Sequence, residues 1–135
     1  MAESYRVEVV PLPVSVARIC MWVQAGMGAL GLALLLTLVG GMSGEAVGTA
    51  LPMLAVPLAA ILVIGYAAYQ VRSRRRWVRA AGIVVESLQV LHGIWSLTGG
   101  FGVSTVLNVA LALAVAYLLV RPESAAWFDR SAVRR

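Results

Sequence analysis

The stretch from Arg72 to Leu97 reads RSRRRWVRAAGIVVESLQVLHGIWSL, and it decides the fold. A cluster of arginines runs directly into an apolar segment, about Val78 to Leu97, in which Glu86 is the single acid. That length is near the roughly 20 residues that carry a helix across about 30 Å of hydrocarbon. Backbone inside lipid must satisfy its own hydrogen bonds, so the segment is a helix and not a strand. Within it Gly82, Glu86, Gln89, Gly93, Ser96 and Gly100 recur at 4-3-4-3-4 spacing, which aligns them on one face. In a soluble protein that face would be ordinary surface. Among lipid-like neighbours it must meet protein or water.

Three more apolar segments accompany it, about Val16 to Val39, Leu51 to Val71 and Val103 to Val120. Of the 135 residues, 61% are hydrophobic and 13% charged, and the mean hydropathy is +0.88. Soluble domains are about half apolar and a quarter charged. The expectation is an all-α membrane protein, a single four-transmembrane-helix bundle over residues 1–135 with a short interfacial tail over 122–135. In the tail, Pro122 suits a first helical turn, with Trp127 and Phe128 toward the membrane. The lead-in from Tyr5 to Pro13 alternates briefly, breaks at Pro11 and Pro13, and is expected to be irregular. Pro52 is expected in the first turn of the second helix, where its missing N–H is harmless, whereas Pro57 removes a donor inside it.

Charge orients the bundle. Net charge is +5, and all eleven basic residues are arginine. Arg6 and Arg18 stand at the entry to the first helix, Arg72, Arg74, Arg75, Arg76 and Arg79 between the second and third, and Arg121, Arg130, Arg134 and Arg135 after the fourth. The connections Gly40–Ala50 and Thr98–Gly102 hold no basic residue, and the first carries Glu45. This bias predicts a multi-pass protein of the bacterial inner (plasma) membrane with both termini and the arginine loop cytoplasmic. It also argues against dual topology. The first apolar segment is longer than a signal-peptide core, so it is read as a span. Trp22, Trp77, Trp95 and Trp127 fall near the expected interfaces. The arginines flank apolar segments and form no continuous basic face, so nucleic acid is not an expected partner. The lone Cys20 excludes an intramolecular disulfide and a thiol-built metal cluster.

Lipid chains are as apolar as leucine, so these helices must associate through close packing and interhelical hydrogen bonds. The first helix offers Ala17, Met21, Gln24, Gly28, Gly31 and Leu35 in the same 4-3 spacing, and the fourth offers Thr105, Asn108, Ala112 and Val115. Matching small faces predict a compact left-handed bundle with Gly28, Gly31, Gly82, Gly93, Ser96 and Gly100 at helix contacts. Gln24, Gln89 and Asn108 are read first as interhelical hydrogen-bonding residues, worth roughly 0.5–2 kcal/mol each. Leu38-Val39-Gly40-Gly41 and Leu97-Thr98-Gly99-Gly100 echo each other as helix-ending signals, as a duplicated hairpin would, or as chance would in a chain rich in glycine and leucine.

Glu86 is the first candidate for chemistry. It lies seven residues past Arg79, about 10 Å along a helix axis. One reading makes it the titrating group of a proton-coupled or cation-binding site, with Gln89 and, less directly, His92 as polar neighbours. The other makes it a neutral or hydrogen-bonded acid that fixes helix register. His92 alone does not make a metal site, because no second histidine exists and no acid stands at ligand spacing from it. No metal or cofactor is expected. Nor is an enzyme, since the chain lacks a Ser-His-Asp set, a phosphate-binding glycine loop and paired intramembrane carboxylates. The run Arg72, Arg74, Arg75, Arg76 and Arg79 can contact anionic lipid headgroups or an acidic partner, beyond its role as a topology signal.

The all-arginine basic set, the run Val23-Gln24-Ala25-Gly26 and the ending Arg121-Pro122…Trp127-Phe128 resemble small uncharacterised four-helix integral membrane proteins of high-GC actinobacteria. That resemblance implies the four-helix fold and brings no activity with it. Small multidrug transporters are similar in size and helix count, but they carry an essential glutamate in the first helix, where this chain has Gln24. The functional expectation is therefore a non-enzymatic accessory or scaffold subunit, associated with itself or with a larger membrane complex. The alternative is an oligomeric proton-coupled transporter of a small solute or ion that uses Glu86.

Overall fold

A computed structural model describes residues 9–42, 44–100 and 102–129. The lead-in before Val9 and the arginines beyond Asp129 lie outside the described residues. Five helices follow one another: α1 Leu12–Gly40, α2 Gly44–Gln70, α3 Arg76–Thr98, α4 Val103–Val120 and α5 Pro122–Phe128, with a 3-10 turn Val71–Ser73 between α2 and α3. Among the described residues there is no strand. Helices α1 to α4 are each long and apolar enough to cross a membrane. Their outer faces expose large apolar side chains such as Leu91, Trp95 and Val103, a surface suited to lipid and prone to aggregate in water. The chain has the build of a small multi-pass membrane protein.

The helices outrun the apolar segments. Helix α1 begins at Leu12 with Pro13 in its first turn, where no N–H is needed. Leu12 and Pro13 are therefore helical, not part of an irregular lead-in. Helix α2 begins at Gly44, seven residues before the apolar run at Leu51. Glu45 lies in that first turn, where the positive end of the helix dipole favours an acid. Pro52 and Pro57 are consequently both interior to α2, which corrects the expectation for Pro52. Each removes the donor for the carbonyl four residues earlier, at Gly48 and Met53. The two glycine pairs do end helices alike. The N–H of Gly41 reaches Leu38 O, and that of Gly99 reaches Ser96 O, in both cases from a right-handed cap.

Neighbouring helices pack in the order α1, α2, α3, α4 and back to α1. The core gathers at the arginine-bearing end. Its buried members include Val14, Ala17 and Met21 of α1, Ile64, Ala67 and Ala68 of α2, Val78 of α3, and Val115 and Leu119 of α4. Close approach is written into two α3 glycines. A Cβ on Gly82 would stand 2.9 Å from Leu119 Cδ1, and one on Gly93 would collide with Val109. Tyr66 of α2 stacks on Trp77 of α3 with centroids 5.8 Å apart.

Helix α5 closes this end. Phe128 is buried in the core and Trp127 is packed against it, with Trp127 Nε1 donating to Val71 O at 3.3 Å. The expectation that these aromatics turn toward the membrane is corrected, because they turn toward the bundle. Two side chains cap the last carbonyls of α4, which have no helical donors of their own. Arg79 Nε donates to Leu119 O at 2.8 Å, and Ser124 Oγ to Leu118 O at 2.6 Å.

Candidate functional site

Glu86 is 0% exposed and Gln24 is 5% exposed, so both side chains lie inside the bundle. They belong to stripes that approach each other from α1 and α3, and Gln24 Nε2 donates to Glu86 Oε2 at 3.1 Å. Gln89, one turn further along α3, donates to the same oxygen at a longer 3.4 Å. The other oxygens are unmet, since Glu86 Oε1 and Gln24 Oε1 are buried without a hydrogen-bonding partner. Three of the sequence candidates therefore form one cluster, in which two buried oxygens have no donor. Unmet buried acceptors are costly.

The remaining candidates do not join it. His92 and Asn108 are exposed. Asn108 continues a stripe whose next members, Ala112, Val115 and Leu119, are buried, so its exposure marks a change in packing and not a change in face. The levels can be matched. Gly31 lies seven residues beyond Gln24, Gly93 lies seven beyond Glu86, and Gly93 packs on Val109, the neighbour of Asn108. At that height, about 10 Å above the Gln24–Glu86 contact, α3 still touches α4. By contrast, a Cβ on Gly31 would meet nothing within 4 Å, and Leu35, one turn on, is 45% exposed. Packing on this stripe of α1 therefore thins out beyond Gln24. The bundle is closed around Glu86 and opens beyond it, away from the arginine-bearing end.

The expected packing residues divide along the same line. Gly28 lies close against Ile61, and Gly82 and Gly93 are buried contacts, whereas a Cβ placed on Gly31 or Gly100 would have no neighbour within 4 Å. Ser96 Oγ turns back to His92 O at 2.9 Å, as Ser87 Oγ does to Ile83 O at 2.7 Å. Such local bonds satisfy a hydroxyl in hydrocarbon without a neighbouring helix.

Of the five loop arginines, three are engaged within the protein. Arg79 caps α4, Arg76 pairs with Asp129, and the Arg74 guanidinium lies 3.9 Å over the Trp127 ring. Arg72 and Arg75 are exposed. Arg18, read from the sequence only as a topology signal, instead has its Nε buried without an acceptor. Ser124 and Phe128 were also not singled out as contacts, and the one signal for them was their closeness to Pro122. Among the described residues, no three His, Cys, Asp or Glu side chains converge as metal ligands. Compared with protein families, curated proteins and solved structures, the chain matches none.

Proposed function

We propose that this chain is a non-enzymatic integral membrane protein of the bacterial plasma membrane, an accessory or scaffold subunit that associates with itself or with a larger membrane complex. Its arginine-bearing end, with both termini, is assigned to the cytoplasmic side by the positive-inside rule. The observation that carries the reading is Asn108, an exposed carboxamide inside a span, near the level at which a Cβ on Gly31 would meet nothing within 4 Å. A polar group at that depth calls for a partner, and small residues nearby permit a helix to approach. Glu86 in this reading is a structural contact. As a neutral acid it would supply the one hydrogen that the unmet oxygens of Glu86 and Gln24 lack. Native mass spectrometry of the protein in mild detergent tests the proposal. A defined complex, weakened by Asn108→Leu, is expected; a wild-type chain that is monomeric and alone contradicts it.

A second reading, an oligomeric proton-coupled transporter, is favoured by one feature. The buried core gathers on the arginine-bearing side of the Gln24–Glu86 cluster, whereas Leu35 and Asn108 on its other side are exposed. Proton flux in liposomes, with candidate solutes, compares wild type with Glu86→Gln. Flux lost in the variant supports transport; equal flux in both, or none in either, rejects it.

A further inference from the structure

Arg18 and Arg72 converge on one cleft, and no carboxylate among the described residues neutralises them. The cleft, about 200 Å³, lies between the start of α1 and the 3-10 turn, lined by Val10 ahead of α1, by Ser15, Arg18, Ile19 and Trp22 of α1 and by Val71 and Arg72 of the turn. The α1 residues follow i, i+3, i+4, i+7 spacing, so one strip of the helix makes the wall. Among the described residues, ion pairs join Arg76 to Asp129 and Arg121 to Glu123, and none forms at Arg18 or Arg72. Arg18 Nε is buried with no acceptor, so no described side chain compensates that charge. An anion in the cleft would, because a guanidinium fork matches the oxygens of a phosphate.

The lining also separates one phosphate from another. Trp22 is one turn further along α1 than Arg18, about 6 Å toward the middle of the span. Ile19 and Trp22 are 62% and 47% exposed, respectively, so the cleft continues as an apolar strip beyond its charged end. A free anion has no use for that strip, whereas an acyl chain does. We infer that the cleft binds an anionic phospholipid, with its phosphate between Arg18 and Arg72 and a chain along Ile19 and Trp22.

The full chain in mild detergent is titrated with phosphatidylglycerol or phosphatidylcholine and followed by native mass spectrometry. One phosphatidylglycerol per chain is expected to be retained in preference to phosphatidylcholine. Arg72→Gln should weaken retention about fivefold, and Arg18→Gln combined with Arg72→Gln about 25-fold. Arg75→Gln, exposed and outside the cleft, should leave it unchanged. Because Arg72 is exposed, its single substitution carries the test even where the double variant fails to assemble. Equal retention of the two lipids, or an equal loss in Arg75→Gln, overturns the inference. Displacement of the lipid by millimolar inorganic phosphate assigns the cleft to free phosphate and overturns the lipid assignment.

Discussion

Gln24 on α1 and Glu86 on α3, 62 residues apart in sequence, meet through a buried hydrogen bond of 3.1 Å. Below this contact the four helices share a core closed by Phe128. Above it, a Cβ on Gly31 would meet nothing within 4 Å and Asn108 is exposed. The pair therefore stands where the closed part of the bundle gives way to the open part, and it ties the first hairpin to the second at that boundary.

Two glycines at one height should respond in opposite ways. Gly93→Leu drives a side chain into Val109 and is expected to destabilise the bundle by about 1–3 kcal/mol. Gly31→Leu meets open space and should change stability by less than about 0.5 kcal/mol. Unfolding by a denaturing detergent in mixed micelles measures both. Equal costs would mean that α1 stays packed on α4 along its whole length.

The opening makes its own prediction in the purified chain. With Cys20 replaced by alanine, Asn108→Cys should react readily with a water-soluble maleimide, whereas Ala112→Cys, one turn toward the core, should be protected. Protection of both would show a closed bundle. If a partner fills the opening, labelling of Asn108→Cys should fall in native membranes relative to the purified chain.

Helix α5 is predicted to belong to the fold and not to the lipid surface. Phe128→Ala empties a buried aromatic site and should cost about 3 kcal/mol, with faster proteolysis at the tail. An interfacial tail would instead lose membrane contact and leave bundle stability unchanged.

Much of this architecture was legible in the sequence. The four spans follow from hydrocarbon thickness, and the 4-3 stripes placed Gln24 and Glu86 on faces that do meet. Periodicity, however, reports which way a side chain points on its own helix and not whether a neighbour is there. Leu35 and Asn108 keep the rhythm of Met21 and Val115, yet they are exposed where those two are buried. Helix ends were missed for a related reason, because Gly44 to Ala50 is helical without being apolar. Trp127 and Phe128 could not be told apart from membrane anchors, since an aromatic at an interface and one capping a bundle have the same composition. Arg79 illustrates the converse, a charge that marks topology in the sequence and caps Leu119 O in the structure.

Arg79 also yields a prediction. Arg79→Gln should lose the tie to α4 and destabilise the protein by about 1–2 kcal/mol. Arg75→Gln, at an exposed position, should be silent. Thermal unfolding of both variants checks the contrast, and equal stabilities would remove Arg79 from the set of structural contacts.

Gln24 and Glu86, one on each hairpin, hold the two hairpins together. A double-mutant cycle of Gln24→Leu and Glu86→Leu, read by unfolding in micelles, measures that tie without counting what each residue does alone. A favourable coupling of about 0.5–2 kcal/mol is predicted. Strictly additive effects, or a Glu86→Leu bundle as stable as wild type, would contradict it.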